Sequence, residues 1–374
     1  MTTIRLLKNG SQVFPAMFDA IERASSCVVV EMYLIADDGT GREFRGRLIN
    51  AAKRGIEVLV IIDAVGSWSL QDSFWDELRD AGGEVRWFRP FKTGMFLFRN
   101  HRKLVLVDDR VAYIGGLNIA DEYYRGAGDE PPWRDNALEI SGMETARLKR
   151  SFSRMWARAG LPLRAILRFH RERSGKLTTT RRIRFLESGP EDPMHPVRRV
   201  YRQVIRNAEK SIDLAMGYFY PHGRIIRALK RAVRRGVRVR LLFPQKSDVP
   251  MARWAARGLY GRLLRAGIEV WEYKPTMLHA KLAIADDTVI TGSANLDIRS
   301  GRINYELVAV ATDPEVAGRG RADFEEDLKE AEQVRFEEWK ARPLMQKIKE
   351  RISYWFLARL DIFFAKAELA RRMR

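Results

Sequence analysis

Short runs of Val, Ile and Leu recur along this chain between polar stretches of helical spacing, and the whole order occurs twice. In the first half, a helical segment leads into CVVVEMYL, a second helix ends at Gly55, and IEVLVIID follows. In the second, VIRNAEK leads into SIDLAMGYFY, a helix ends at Gly236, and VRVRLLF follows. Next come LRDAGGEVRWFRP and LLRAGIEVWEYKP, each a helix end, a Gly turn and a strand. Two alternating strands follow in each half, then NALEISG or ELVAVAT, then a helix. Strands alternating with helices predict an α/β fold of mixed sheets flanked by helices. The repetition predicts two similar α-β-α halves packed about a pseudo-twofold axis, with the active site between them. The expected boundaries are 1–170 for the first half, a basic Thr-rich linker at 171–184, the second half at 185–340, and a C-terminal helix at 341–374.

The repeat carries chemistry. His101, Lys103 and Asp108 form H-x-K-x4-D, followed by Gly115, Gly116 and Asn118; His279, Lys281 and Asp286 repeat it 178 residues later, followed by Gly292, Ser293 and Asn295. One H-x-K triplet arises easily by chance, whereas two copies with the same sequel do not. Residues two apart on a strand share a face, so each His–Lys pair should point one way. Asp108 and Asp286 fall at a turn at the strand's end, which favours a structural or orienting role within the motif over direct chemistry. Two imidazoles and two ammoniums around one point suit a phosphodiester. The lysines neutralise phosphoryl charge, one neutral imidazole attacks phosphorus, and the other hands a proton to the leaving alcohol. This scheme needs no metal and no cofactor.

The duplicated motif resembles that of the phospholipase D superfamily, and within it the bacterial cardiolipin synthases, over roughly residues 8–340. The resemblance implies a phosphohistidine intermediate on His101, with His279 as acid and then base. It implies that Asn118 and Asn295, with Ser293, hold phosphoryl oxygens. An acid hydrogen-bonded to a catalytic imidazole is expected at Glu306 and, in the matching position of the first half, at Asp135. Gly116 departs from the symmetrical pattern, standing where the second copy has Ser293. The reaction implied is transfer of a phosphatidyl group between phospholipids, for example two phosphatidylglycerols giving cardiolipin and glycerol. A hydrolase or phosphatidylserine synthase on the same site, or a superfamily nuclease, is the alternative.

Charge and composition bear on the partner. The chain has 67 Lys and Arg against 48 Asp and Glu, a net +19 over 374 residues, which fits an anionic membrane surface or a nucleic acid. The N-terminal residues contain no long apolar run, so neither signal peptide nor membrane span is expected there, and folding in the cytosol is. Cys27 is the only cysteine and reads as core. Met345, Ile348, Ile352, Trp355, Phe356 and Phe363 fall near helical spacing with Lys347, Lys349, Arg351 and Arg359 interleaved. Such a helix is too charged to span a bilayer and resembles an interfacial one; docking on the protein's own core is the competing reading. The apolar run Met95–Phe98 could likewise dip into lipid or be core. The expected setting is therefore peripheral, on the cytoplasmic side of the membrane, with phospholipid substrates and with nucleic acid the less favoured partner. Tyr33 and Tyr218 occupy matching strand ends, as pocket lining or core, while Asp63, Gly66 and Ser67 read as a turn. His170, His195 and His222 lie outside any motif.

Overall fold

A computed structural model describes residues 2–88, 98–159, 178–179, 182–190, 192 and 194–357. The first half forms a seven-stranded sheet from β1 (Thr3–Lys8), β2 (Cys27–Met32), β3 (Glu57–Asp63), β4 (Glu84–Phe88), β5 (Leu104–Val107), β6 (Val111–Gly115) and β7 (Asn136–Ser141), in the order β1-β7-β6-β5-β2-β3-β4. The second sheet contains β8 (Thr178–Thr179), β9 (Ile183–Ser188), β10 (Ser211–Met216), β11 (Arg238–Pro244), β12 (Glu269–Tyr273), β13 (Lys281–Ala285), β14 (Thr288–Gly292), β15 (Glu306–Thr312) and β16 (Ala331–Gln333). Its order is β16-β12-β11-β10-β13-β14-β15-β9-β8. Strands β1 to β7 therefore correspond one for one to β9 to β15, and β8 and β16 are edge additions.

Pairing follows the same rule in both halves. β2, β3 and β4 are parallel, as are β10, β11 and β12, while β5–β7 and β13–β15 run as antiparallel meanders. Parallel neighbours need a crossover, supplied by the helices Gly39–Lys53, Gly223–Arg234 and Pro250–Leu264. The inner sheet faces pack on each other: Val29, Leu106, Ile114 and Leu138 share one core with Ala215, Leu282, Ile284 and Leu307. Outer faces are covered by helices, Asn9–Glu22 and Gly39–Lys53 on one side and Pro196–Asn207, Gly223–Arg234 and Pro250–Leu264 on the other. Central strands buried on both faces explain why the sequence shows continuous apolar runs there.

The strands carrying the motifs are shorter than the alternation suggests. β5 begins at Leu104 and β13 at Lys281, so His101 and His279 lie in extended chain just before them. Their backbones are tied to the opposite half instead. His101 N–H donates to the Tyr305 carbonyl at 3.0 Å, and His279 N–H donates to the Arg134 carbonyl at 2.8 Å. Asp108 and Asp286 adopt left-handed backbone (φ 54° and 48°) where each meander turns, a conformation that aspartate tolerates better than most residues.

The C-terminal helix is described from Leu344 to Trp355. It docks one face on Pro250–Leu264, where buried Glu350 accepts hydrogen bonds from Arg257 and Arg342. Its other face leaves Met345 76% and Trp355 51% exposed, with Leu344, Ile348, Ile352 and Phe356 beside them. The docked reading of this segment therefore holds for one face, and the other face is exposed. Residues 358–374 and most of the Met95–Phe98 run lie outside the described residues; Phe98 is buried.

Candidate active site

The carboxyl ends of β2, β3, β10 and β11 and the starts of β5 and β13 meet around a cavity of about 470 Å³. His101, His279, Asn118 and Asn295 line it, with Tyr33, Tyr218, Arg99, Asp248 and Arg299. Both motif histidines therefore face one space, at the crevice outside the strand ends where α/β sheets bind ligands.

Each histidine is held by the other half's carboxylate. His279 Nδ1 donates to Asp135 at 2.7 Å, and His101 Nδ1 donates to both Glu306 oxygens at 3.1 Å. A carboxylate accepts only, so each pairing fixes the Nδ1–H tautomer and leaves the Nε2 lone pair for chemistry. Lys281 Nζ also lies 2.9 Å from His279 Nδ1 and 3.1 Å from its Nε2; Nδ1 cannot accept from it while donating to Asp135, so Nε2 is the ring nitrogen open to that ammonium and to a substrate in its place. Lys281 is satisfied by the His279 carbonyl, as Lys103 is by the His101 carbonyl at 2.9 Å. Glu306 is entirely buried and accepts in addition from the Ser293 hydroxyl.

The departure at Gly116 has a steric cause. Asp135 is one methylene shorter than Glu306, and its carboxyl lies against Gly116, so a Cβ built there would land on the carboxylate oxygens. In the second half the longer Glu306 leaves room for Ser293, which hydrogen-bonds it. Gly116 with Asp135 and Ser293 with Glu306 are two solutions to one packing problem.

Electrostatics divide the groups by role. Burial and the Lys103 charge lower the His101 pKa to about 4, against the opposing pull of Glu306, so this imidazole is neutral across the physiological range. Burial and Lys281 also lower the His279 pKa, with Asp135 pulling upward. Burial and the facing Lys281 ammonium bring Lys103 down to about 7, and burial lowers Lys281 as well. The Glu306 and Asp135 carboxylates pull both lysines in the opposite sense.

The asparagines are placed to meet a ligand. The amide oxygens of Asn118 and Asn295 are buried without a protein partner, and Asn118 Nδ2 donates to the Tyr123 hydroxyl at 2.7 Å. Tyr33 packs edge-on against His101 with ring centroids 4.9 Å apart, and Tyr218 does so against His279 at 6.0 Å. Both tyrosines are pocket lining.

Asp108 and Asp286, grouped with the catalytic candidates by their motif, do not line the cavity. Asp108 accepts from the backbone N–H groups of Ser25, Ser26 and Cys27, and Asp286 from those of Glu209, Lys210 and Ser211. They anchor the start of β2 or β10 to the motif hairpin, at the end of the strand away from the histidines. Asp63 is the turn residue expected, capping Val65 and Gly66, but it also accepts from Asn100 N–H at 2.7 Å and so fixes the segment entering His101. Ser67 accepts from Ile35 N–H in the same turn. His195 and His222 lie outside the cavity lining, and His170 is outside the described residues.

Asp248 was not legible as a site residue. It accepts from the Tyr218 hydroxyl at 2.7 Å on the His279 side of the cavity. Its position in the loop just after β11 was the one available signal, because such loops carry binding groups in α/β folds.

The family profile described as "Cardiolipin synthase, PLD-like domain" matches residues 17–156 and 201–328. A cardiolipin synthase of Geobacillus sp. (strain WCH70) is 33% identical over 94% of this chain and 71% of its own length. Cardiolipin synthase A of Pseudomonas putida (strain GB-1) is 36% identical over 94% of this chain and 73% of its own. Among solved structures, the phosphatidylserine synthase of Haemophilus influenzae Rd KW20 superposes with a TM-score of 0.73 at 14% identity, covering 97% of this chain and 94% of that one, a likeness of fold. With two equivalent halves, both motif histidines facing one cavity and this similarity along nearly all its length, the chain belongs to the PLD-like cardiolipin synthase family of phospholipase D-type phosphatidyltransferases.

Proposed function

We propose that the chain transfers a phosphatidyl group from one phosphatidylglycerol to a headgroup hydroxyl of another, giving cardiolipin and glycerol through a phosphohistidine on His101. The observation that carries this reading is the pair of imidazoles facing one cavity, each with Nδ1 bound to a carboxylate and with its motif lysine buried beside it. His101 Nε2 attacks phosphorus; the phosphorus–oxygen bond to the leaving glycerol breaks, and His279, entering this step as the imidazolium that Asp135 favours, gives its Nε2 proton to that oxygen and becomes neutral. The second phosphatidylglycerol then gives its hydroxyl proton to His279, its oxygen attacks phosphorus, and the phosphorus–nitrogen bond breaks. Lys103 and Lys281 hold the phosphoryl oxygens, and their lowered pKa values rise again once that anion lies between them. The Asn118 and Asn295 amides donate to the same oxygens. Asp248 and Tyr218, on the His279 side, receive the hydroxyls of the alcohol.

The reading includes peripheral attachment to a lipid surface. The described residues contain no helix long and apolar enough to cross a membrane. Leu357, just beyond the docked helix Leu344–Trp355, lines the catalytic cavity together with Val249, so the exposed apolar face of that helix leads to the cavity mouth. An interfacial helix of this kind lets a substrate pass from lipid to the histidines without crossing water.

The test is product analysis after incubating purified protein with phosphatidylglycerol vesicles. Cardiolipin and glycerol in equal amounts, abolished in His101→Ala, support the proposal. Phosphatidic acid as the main product means that water is the acceptor, and no turnover removes this donor from consideration.

A further inference from the structure

The outer groove between the helices Pro196–Asn207 and Gly223–Arg234 is lined by Arg202, Arg206, Arg224, Arg227 and Arg231, around a cleft of about 230 Å³. The first helix carries four arginines, the second four arginines and one lysine, and neither carries a carboxylate. The five lining guanidiniums make no ion pair or hydrogen bond to a carboxylate among the described residues. Arg202 is half-buried and the other four are exposed.

The first half provides an internal comparison. Its equivalent groove lies between Asn9–Glu22 and Gly39–Lys53, where Arg47 pairs with Glu22 across the groove and with Glu43 on its own helix. The same architecture thus accommodates charge by ion pairing in one half and by arginine alone in the other. Like charges at helical neighbour spacing, such as Arg202 and Arg206 or Arg227 and Arg231, repel. Gathering five around one cleft is unfavourable unless an anion occupies it. Guanidinium is the group best matched to phosphoryl oxygens, which it meets with two parallel hydrogen bonds.

We propose that this cleft is a second phosphate site, separate from the catalytic cavity, that takes the phosphodiester headgroup of an anionic phospholipid in the membrane. Its size and shape suit one headgroup rather than an extended polyanion, and no aromatic side chain lines it to stack a base. Its location suits a lipid as well. Val197, Arg198, His222 and Ile225, in or beside the first turns of both helices, abut the Asn295–Gly301 segment, part of which lines the catalytic cavity. A lipid held there keeps that cavity against the surface that supplies its substrate. The choice of a lipid as ligand rests on the function proposed above; the phosphate chemistry of the cleft does not.

The experiment is co-sedimentation of the full chain with phosphatidylcholine vesicles with and without phosphatidylglycerol. The proteins are the unaltered chain, Arg202→Gln/Arg227→Gln/Arg231→Gln, and His101→Ala. The triple variant is expected to lose on the order of tenfold or more in apparent affinity for the anionic vesicles, with binding to phosphatidylcholine unchanged. His101→Ala is expected to bind like the unaltered chain, so this result stands even where turnover fails. Should the triple variant fail to fold, Arg224→Gln/Arg227→Gln, both at exposed positions, takes its place. Equal binding of folded variant and unaltered chain overturns the proposal. So does displacement of the unaltered chain by millimolar inorganic phosphate, which marks a free-phosphate site. A variant that loses single-stranded DNA binding but keeps vesicle binding overturns it too, in favour of a nucleic-acid surface.

Discussion

Asp135, immediately before the last strand of the first half, accepts a hydrogen bond at 2.7 Å from His279 of the second half. Glu306 returns the arrangement by accepting from His101. Each motif is thus completed by the half that does not contain it.

Asp135→Asn is expected to lower kcat by about 10²–10⁴-fold, because an amide no longer enforces the His279 tautomer that leaves Nε2 for proton transfer. Steady-state kinetics should show kcat falling more than KM rises. Equal loss from Asp135→Asn and from a substitution at the cavity rim would remove the orienting role.

Gly116→Ala places a methyl group against the Asp135 carboxylate and displaces it from His279. A fall in kcat of about 10–100-fold is expected, since small misplacements of catalytic groups have effects of that size. Ser293→Ala removes one donor from Glu306, which keeps its bond to His101, and one acceptor from Leu307 N–H, and should stay within about tenfold of the unaltered enzyme. Similar losses in the two variants would contradict the steric account.

The pH profile follows from Lys103. Its pKa in the free protein is lowered to about 7, so the ammonium is present below that pH and is lost above it. Because kcat/KM reports the free enzyme, it should fall as pH rises through about 7, with loss of the His279 imidazolium, whose pKa is also lowered, adding to the same limb; the bound phosphoryl anion raises both groups, so kcat should hold to higher pH. His101, lowered to about 4, loses its neutral form only in more acid solution, so the acid limb attributable to it lies near 4. A kcat/KM that is flat from pH 6 to 9 would count against a lysine clamp.

Asp108→Ala should separate stability from chemistry. Three backbone N–H groups lose a charged acceptor, and unfolding in urea should show a loss of about 2–3 kcal/mol. The specific activity of the folded fraction should be nearly kept, because Asp108 does not touch the cavity. Complete loss of activity in well-folded protein would return Asp108 to the catalytic set.

Trp355→Glu/Phe356→Glu is expected to weaken binding to vesicles while leaving turnover of detergent-dispersed phosphatidylglycerol within about twofold, as both side chains lie on the exposed face of the terminal helix. Unchanged vesicle binding would mean that this face does not meet lipid.

The repeat, the α/β class and the two His–Lys pairs were legible because they are local: a period of two places His and Lys together whatever the rest of the chain does. The acids at Asp135 and Glu306 were legible by resemblance, but their exchange between halves was not. It depends on how two sheets pack, and the alternation within a strand carries no signal for that. The strand starts were read too early because His101 and His279 share the extended geometry of β5 and β13 while hydrogen-bonding across the interface instead. Asp248 escaped notice since an exposed loop aspartate has no pattern of its own until Tyr218 is seen to point at it.

The backbone bonds from His101 to Tyr305 and from His279 to Arg134 have a consequence for the ancestry of such a chain. Either half alone holds a histidine and a lysine without their acid, and an acid without its histidine. A single ancestral half could have worked only as a twofold pair, each copy lending its carboxylate to its twin. Fusing the two copies let their sequences diverge, so that one twin keeps Gly116 with Asp135 and the other Ser293 with Glu306, a division of labour closed to identical subunits.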